Sequence, residues 1–245
     1  MTPTPRKPPA APRSLATPRA PAVPRAPRKT PRGARAEQAL AVVSAAARVA
    51  LTDGKRALPG ANLAGADLAG LSLRGRDLSG SDLTGADLSG ATLIGCDLRG
   101  ARLGKARLAD ATLVACDLRG AQLDGACLRE ANVFACALNE ANLQKADLSE
   151  GNLAVVSLAG ADLARADLRE ANFLLASLAG ARFAGARAEG TSFTLSWLPG
   201  ADFTRARLHR ARFALSAMRG AIFDRAAGLE RESFSMVHFP RPQEE

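Results

Sequence analysis

The residues Ala61-Asn62-Leu63-Ala64-Gly65 and Ala66-Asp67-Leu68-Ala69-Gly70 begin a five-residue repeat that continues without insertion to Ala221-Ile222-Phe223-Asp224-Arg225. The repeat occupies residues 61–225, which is 33 units of five. The third position is Leu or Phe in 30 of the 33 units, with Val133, Ala188 and Met218 as the exceptions. The first position is usually Ala, and the second is usually Asp, Asn, Arg, Ser or Thr. A period this regular indicates one structural unit repeated along the chain.

A period of five residues matches neither an α-helix, with 3.6 residues per turn, nor a strand with a period of two. Five residues can form one short strand and one turn, with the central Leu or Phe and the small first residue facing inward. Four such units would close a coil of about twenty residues, so the 33 units predict about eight stacked coils. Coils stacked at the spacing of β-strands, roughly 4.8 Å, would form a rod roughly 40 Å long. The predicted fold is an all-β solenoid.

The repeat resembles the A(D/N)LXX motif of the pentapeptide repeat family. Ala66-Asp67-Leu68-Ala69-Gly70 and Ala86-Asp87-Leu88-Ser89-Gly90 match that motif directly. The resemblance covers about two thirds of the chain, residues 61–225. It implies a right-handed quadrilateral β-helix, and it implies a protein that is not an enzyme.

A coil of twenty residues predicts that residues twenty apart stack on the same side of the rod. Two columns of Phe side chains follow, on opposite sides of the core: Phe173, Phe193 and Phe213 in one, and Phe183, Phe203 and Phe223 in the other. Three cysteines at the small inward position are also twenty apart, namely Cys96, Cys116 and Cys136. We predict that these cysteines pack in the core.

Residues 1–36 form a segment rich in Pro, Ala and Arg that holds the whole formal charge excess of +9. The other 24 basic residues of the chain are balanced by its 24 acidic residues. Such a composition predicts a disordered, extended tail. The tail is either a solvated spacer or an arm for an anionic partner such as nucleic acid, an acidic protein or a membrane surface. Its basic residues are Arg6, Lys7, Arg13, Arg19, Arg25, Arg28, Lys29, Arg32 and Arg35.

The segments at either end of the repeat, residues 37–60 and 226–245, are predicted to cap the solenoid, because bare coil ends expose core and unpaired strand edges. Residues 37–51 have the pattern of an amphipathic helix that is too short to span a membrane, and we predict no transmembrane segment. Its apolar face comprises Leu40, Val43, Ala47, Ala50 and Leu51. The C-terminal cap would use Leu229, Phe234, Met236, Val237 and Phe239. End-to-end dimerisation is an alternative use of that end.

One side of the predicted rod, centred on Leu93, Leu113, Val133 and the equivalent later residues, carries an outward apolar stripe. The stripe comprises Ile94, Val114, Phe134, Val155, Leu174, Leu175, Leu195 and Leu215. A stripe of this length indicates a contact surface. Helix 37–51 could fold back onto it, two rods could pair there as a homodimer, or a partner protein could dock there. On the same side, Asn132, Asn152 and Asn172 are expected to form a ladder of side-chain hydrogen bonds.

The neighbouring side, centred on Leu68, Leu88 and Leu108, is strongly charged with both signs, which favours a solvated surface with weak ion pairs. Residues 61–150 contain 12 acidic and nine basic residues, whereas residues 151–225 contain six acidic and ten basic residues. The acidic residues of the first coils form a candidate acidic patch: Asp67, Asp77, Asp82, Asp87, Asp97 and Asp117.

The sequence contains no arrangement typical of catalysis, of a metal site or of a cofactor site. The spacing of twenty between cysteines differs from that of zinc ligands, and neither His209 nor His238 has a recognisable nucleophile partner. The stretch Gly100–Lys105 is one residue too short between glycines for a phosphate-binding loop. We predict a protein without catalytic activity or cofactor. The absence of a disulfide framework is typical of a reducing compartment, which predicts a cytoplasmic location.

The first functional hypothesis is a scaffold or interaction protein, whose rigid rod presents a partner-binding face and whose basic tail contacts an anionic partner. The alternative follows from the resemblance. The best understood members of the pentapeptide repeat family resemble duplex DNA, with acidic faces that bind DNA gyrase or topoisomerase IV and protect against topoisomerase poisons. This chain departs from that pattern because its repeat array is nearly neutral, lacks loop insertions and follows a basic tail.

Overall fold

The structure is a computed structural model that describes residues 58–234, together with the helical residues Ala45, Arg48, Val49, Leu51 and Thr52. Residues 58–234 wind into stacked coils in which residues twenty apart lie side by side. Four short strands pair in parallel in the order β1-β2-β3-β4. They are β1 (Ser72–Arg74), β2 (Thr92–Ile94), β3 (Thr112–Val114) and β4 (Asn132–Phe134). Elsewhere the coils are joined by isolated parallel bridges, and a short 3-10 helix follows at Arg231–Ser233.

Backbone hydrogen bonds between successive coils hold this arrangement together. The Leu63 N–H donates to the Asp82 carbonyl at 2.7 Å, and the Asp82 N–H donates back to the Ala61 carbonyl at 2.9 Å. This pair of bonds recurs along the rod at the same spacing of twenty residues. Each coil therefore satisfies the backbone polar groups of its neighbours. The predicted all-β solenoid, with four five-residue sides to each coil, is confirmed.

The register of the coils divides the surface of the rod into four sides. Side A is centred on residue 63 and every twentieth residue after it, side B on residue 68, side C on residue 73 and side D on residue 78. Strands β1–β4 lie on side C. The fifth residue of each unit lies at the corner between one side and the next, and each corner is named by the two sides that it joins.

The core contains the first and third residues of the repeat, as the sequence predicts. Ala66 and Leu68 are both fully buried, and the same pattern continues to Leu208. The second, fourth and fifth residues face outward. The first position holds a small side chain in most units, so neighbouring corners of a coil can approach each other closely. Leu71 and Arg76 in the first coil are exceptions, and both are only partly buried. Burial of this core is the main apolar contribution to folding.

The Phe side chains of the C-terminal coils form two interlocking columns. The rings of Phe173 and Phe193 stack with centroids 5.2 Å apart, and those of Phe183 and Phe203 stack at 4.6 Å. Phe183 also meets Phe193 edge to face, with centroids 5.8 Å apart. Both stacked and edge-to-face pairs are favourable arrangements of aromatic rings. Phe234, beyond the repeat, stacks on Phe213 at 5.5 Å and extends one column.

The corners require a backbone conformation that glycine adopts most easily. At Gly65 φ is 65°, and the Leu63 carbonyl accepts a hydrogen bond from the Ala66 N–H at 3.0 Å, which closes the turn. The fifth residue of every unit has a positive φ, and 17 of these residues are not glycine. A residue with a side chain costs roughly 1–2 kcal/mol more than glycine in this region. Backbone geometry therefore does not explain why a larger residue occurs at a corner.

Each of the four corners has its own chemistry. The A/B corner is mostly basic, with Lys105, Lys145, Arg165, Arg205 and Arg225. The B/C corner is mostly acidic, with Asp110, Glu130, Glu150 and Glu170 before Arg210. The C/D corner becomes bulky and apolar in the C-terminal coils, with Val155, Leu175, Leu195 and Leu215. The D/A corner keeps glycine at every unit except Glu140: Gly80, Gly100, Gly120, Gly160, Gly180, Gly200 and Gly220.

The buried cysteines do more than fill space, which extends the packing role predicted from sequence. Near the C/D corner, the carbonyl of the third residue of a side C unit accepts a hydrogen bond from a side chain of the next coil. The Cys116 thiol donates to the Leu93 carbonyl at 3.4 Å, and its own N–H donates to Cys136 Sγ at 3.3 Å. In later coils the hydroxyl of Ser196 donates to the Phe173 carbonyl at 2.7 Å in the same way. The thiols and hydroxyls therefore satisfy corner backbone groups.

Both ends of the described rod are in contact with residues outside the repeat. At the first coil, the Arg48 guanidinium donates to the carbonyls of Asp67 and Ala69 at 3.2 and 3.3 Å, and Leu51 is fully buried with the core. At the last coil, the Phe213 N–H donates to the Ser233 carbonyl at 2.6 Å. The caps themselves, residues 37–60 and 226–245, stay a prediction. Most of helix 37–51, the tail 1–36, and Met236, Val237 and Phe239 lie outside the described residues.

We expect the Phe columns to dominate the stability of the C-terminal coils. Phe203→Ala removes a ring that contacts four others, so it should lower the free energy of unfolding by about 3–5 kcal/mol. Phe223→Ala is the control, because that ring is only partly buried in the last coil and its loss should cost less. Chemical denaturation followed by circular dichroism measures both, and equal losses would contradict the expectation.

Candidate protein-interaction surface

Side C is the uncharged side of the rod. From Thr92 to Leu195 none of its outward residues is charged, whereas sides A and B carry charge in every coil of the same span. The predicted asparagine ladder on this side is confirmed. Asn152 Nδ2 donates to Asn132 Oδ1 at 3.2 Å, and Asn172 Nδ2 donates to Asn152 Oδ1 at 3.3 Å. Side C thus combines ordered amides with apolar side chains over six coils.

The apolar stripe predicted from sequence consists of two columns. In the earlier coils it runs along side C itself, through Ile94, Val114 and Phe134, and Phe134 is 44% exposed. In the later coils it moves to the C/D corner, with Leu174 as the one member that stays on side C. The corner column comprises Val155, Leu175, Leu195 and Leu215, each 44–53% exposed. The first column uses the fourth residue of each unit and the second column uses the fifth. Because these two residues are adjacent in the chain, the sequence analysis grouped them in one stripe.

The corner column carries a conformational cost that the fold does not demand. Val155 has φ 59° and Leu175 has φ 55°, values that are unfavourable for β-branched and bulky residues. Gly95 occupies the same corner in an earlier coil, so the backbone accepts glycine there. Strained residues that the architecture does not require are typical of functional surfaces.

Trp197 is a surface residue that the sequence analysis missed. It lies at the second position of a unit on side D, where most units have a small or polar residue, and it is 53% exposed. Its neighbours in the adjacent coils, Ser177 and Ala217, are small, so the indole stands above a flat surface. The one available signal was the presence of the only Trp in the chain at an outward position.

Side B is a network of ion pairs. Arg107 lies 3.5 Å from Asp87 of the preceding coil, and Arg129 lies 3.2 Å from both Glu130 and Glu150. An open groove between Arg129, Glu150 and Glu170 is lined by charges of both signs. Pairs this exposed contribute little to stability. The structure therefore agrees with the prediction of a solvated surface of mixed charge.

The six aspartates of the predicted acidic patch do not lie on one surface. Asp77, Asp97 and Asp117 lie on side D and Asp82 lies on side A. Asp67 and Asp87 lie on side B. Each carboxylate accepts a hydrogen bond from the N–H two residues later; for Asp97 this donor is Arg99, at 3.0 Å. The second-position aspartates are therefore turn-forming residues.

These hydrogen bonds lower the pKa of several carboxyl groups. The Arg99 side chain bonds Asp97 at 2.5 Å and the Arg119 side chain bonds Asp117 at 2.6 Å, and each guanidinium holds the pKa of its carboxyl below the usual range. Hydrogen bonds from Thr84 lower the pKa of Asp82 in the same direction. A carboxyl group that is easier to ionise in the folded protein stabilises the fold wherever it is ionised.

Side chains that could bind a metal ion do not cluster in the described part of the chain. Within residues 58–234 and the five helical positions, no group of three or more His, Cys, Asp or Glu could hold a metal ion. A hydrogen bond with Cys136, together with burial, raises the pKa of the Cys116 thiol to about 11, so this thiol is protonated near neutral pH. No helix in the described part of the chain is long and apolar enough to cross a bilayer.

We expect stability to fall steeply in acid. The lowered carboxyl pKa values contribute stability that is fully present above the unfolded pKa, about 4, and is lost as pH falls through the folded values. The thermal midpoint should therefore be flat from pH 7 to about 5 and decline below about pH 4. The double variant Asp97→Asn/Asp117→Asn should show a shallower decline than Asp224→Asn, whose side chain is 66% exposed. Identical pH profiles would contradict the assignment.

Comparisons with known proteins agree with this geometry. The family model for pentapeptide repeats (8 copies) matches residues 61–100, 96–133, 136–173, 157–194 and 196–225. HetL from the cyanobacterium Nostoc sp. strain PCC 7120, a pentapeptide repeat protein involved in heterocyst differentiation regulation, is 32% identical. The match covers 74% of this chain and 92% of HetL, with a TM-score of 0.41.

A trypsin-treated form of QnrB1, a plasmid-mediated fluoroquinolone resistance protein, is 22% identical. That match covers 68% of this chain and 89% of QnrB1, with a TM-score of 0.46. Comparison with curated proteins gives no match. Because the family model spans most of residues 61–225 and the structure repeats every twenty residues, the chain belongs to the pentapeptide repeat family.

Proposed function

We propose that the protein is a non-enzymatic interaction protein whose rigid rod presents side C to a partner protein. The observation that carries the proposal is the absence of charge from the outward residues of side C between Thr92 and Leu195. Depletion of charge around exposed apolar groups is typical of the buried core of protein interfaces. The strands on this side form a rigid platform, because each is paired with the next coil.

The binding energy would be concentrated at a few anchors on side C. Phe134 is the largest exposed side chain there, and Leu174 lies on the same side two coils later. Aromatic anchors surrounded by weaker contacts are the usual pattern in protein interfaces. The amides of Asn132, Asn152 and Asn172 supply hydrogen-bonding groups beside these anchors.

The basic tail, residues 1–36, would contact an anionic partner. It holds nine basic residues and no acidic residue, and the remainder of the chain is neutral. A segment of this charge binds phosphate-rich or acidic surfaces through long-range attraction that added salt weakens. Duplex DNA is therefore a suitable probe for this segment, because its phosphates give a clear salt dependence.

Imitation of DNA for gyrase or topoisomerase IV is the alternative, and the geometry of the described residues gives it less support. Such imitation needs rows of free carboxylates on one surface. Here the aspartates of the first coils lie on sides A, B and D, and Asp97 and Asp117 are paired with arginines. The acidic column at the B/C corner faces the basic column at the A/B corner across side B.

We expect Phe134→Asp to remove the partner of side C. Full-length protein purified from cells should retain a specific protein that quantitative mass spectrometry identifies, and the variant should retain at least tenfold less. Gln144→Asp is the matched control, because Gln144 is exposed at the same position of a unit in the next coil, on side A. Equal recovery with both variants would exclude side C as the binding face.

We expect the tail to be the part of the protein that affects reactions on DNA. Supercoiling by DNA gyrase is titrated with full-length protein and with a full-length variant in which all nine tail basic residues are Gln, each with and without a quinolone. Only the unaltered protein should inhibit, and raised salt should abolish the effect, because the tail would bind the DNA itself.

Two other outcomes of the gyrase titration would change the proposal. Inhibition or quinolone protection at stoichiometric levels that the glutamine variant retains would favour DNA imitation by the rod. Absence of any effect from the unaltered protein would exclude DNA as the anionic partner of the tail.

A further inference from the structure

We propose that side D binds side D of a second copy of this chain, with the two rods parallel and related by a two-fold axis that runs along them. In such a pair each coil faces the same coil of the other copy. The C/D corner of one copy then lies over the D/A corner of the second copy, and the reverse holds at the other edge. A two-fold interface requires this kind of self-complementary surface.

The shapes of the two corners are complementary in the C-terminal coils. In this pair each bulky C/D residue of one copy would face the D/A glycine of the same coil in the second copy. The facing residues are Val155 and Gly160, Leu175 and Gly180, Leu195 and Gly200, and Leu215 and Gly220. A methyl group placed on Gly180 or Gly200 would meet nothing within 4 Å, so the space above these glycines is open. An antiparallel pair would instead press one apolar corner against the other. The leucines with positive φ would therefore pack into the open space above the D/A glycines of the second copy.

The charges of side D are complementary in the same arrangement. In the second and third coils Asp97 precedes Arg99, and Asp117 precedes Arg119, within the same unit. The parallel two-fold axis places Asp97 opposite Arg99 of the second copy, and the same holds for the other pair. From Ser157 to Gly200 side D has no charged residue, so pairing there buries no unpaired charge.

Trp197 lies in the last of the three uncharged coils of side D. Its indole is 53% exposed above Ser177 and Ala217. The two-fold axis places it opposite Pro199 of the second copy, since these residues lie on either side of the central Leu198. Tryptophan is one of the residues enriched at interface hot spots.

Sides C and B fail the same test. A parallel pair through side C would place the carboxylate of Glu150 against Val155 and that of Glu170 against Leu175. A pair through side B would match acidic with basic corners, but every coil of that side carries charged residues that would have to lose water. Side D combines shape complementarity with Asp–Arg pairs in the second and third coils, and its other outward charges are Asp77, Glu140 and Arg219.

The area of side D predicts a reversible dimer. Eight coils at about 4.8 Å and a width of about 10–15 Å give roughly 400–600 Å² for each copy. This is below the 800 Å² or so of a standard interface, so we expect a dissociation constant of about 1–100 μM. Side C and Phe134 stay accessible in this dimer, so the inference is independent of the proposed partner site.

Sedimentation equilibrium of the full-length protein in 0.3 M salt tests the dimer. We expect a monomer–dimer equilibrium that Gly180→Lys weakens at least tenfold, because the new side chain fills the space that Leu175 needs. Gly185→Lys is the matched control. It adds the same charge at a positive-φ glycine five residues later, but on the A/B corner, where Lys105 and Lys145 already occur.

Circular dichroism establishes that both lysine variants fold. Leu175→Gly provides a second test without added charge: it relieves a positive φ, so it should not lower the thermal midpoint, yet it should weaken the dimer. A wild-type protein that stays monomeric at 1 mM would overturn the inference. So would equal weakening by Gly180→Lys and Gly185→Lys.

Cross-linking distinguishes the parallel two-fold pair from any other dimer. Ser177→Cys and Ala179→Cys are made separately in chains with Cys127→Ser, because Cys127 is the one described cysteine that is not buried. A disulfide should form when the two variants are mixed and oxidised, since Ser177 faces Ala179 of the second copy. Cross-linking of either variant with itself at the same rate would overturn the parallel arrangement.

Discussion

The hydrogen-bonded ladder between coils is the interaction on which the rest of this structure depends. The bond from the Leu63 N–H to the Asp82 carbonyl, and the one that returns to Ala61, repeat from coil to coil. No coil can satisfy its own backbone, so order in one coil requires its neighbours. The rod is therefore rigid along its length, and it needs covering residues such as Leu51 and Phe234 at its ends.

The ladder leaves the corners as the places where this chain differs from a plain repeat. Every corner needs a positive φ, which glycine meets at least cost. Three corners nevertheless acquire basic, acidic or apolar columns, whereas the D/A corner stays almost entirely glycine. Because residues at one corner are 4.8 Å or so apart along the rod, a preference at one position becomes a continuous surface of one character. The surfaces proposed for interaction arise in this way.

The two proposed contacts use different parts of the apolar stripe. Phe134 belongs to side C, and Leu175 belongs to the C/D corner beside side D. A parallel dimer through side D would place two copies of side C at a fixed distance on either side of one axis. A partner with two equivalent binding segments would then gain affinity from simultaneous contact.

The sequence by itself determined the period, the inward positions and the stacking of residues twenty apart. Those features follow from the Leu or Phe at every fifth residue, and the ring distances of Phe173 and Phe193 agree with them. Sequence also predicted side C as an apolar surface and the asparagine ladder on it. The six aspartates were grouped as one patch by their nearness in the chain, whereas the period of twenty places Asp77 and Asp82 on different sides.

Only the tertiary structure showed that Cys116 satisfies a corner carbonyl, that Leu175 is held at a positive φ, and that Gly180 leaves open space across side D from it. The physical reason is that these features depend on which residues of successive coils are adjacent. The backbone hydrogen bonds between coils determine that adjacency.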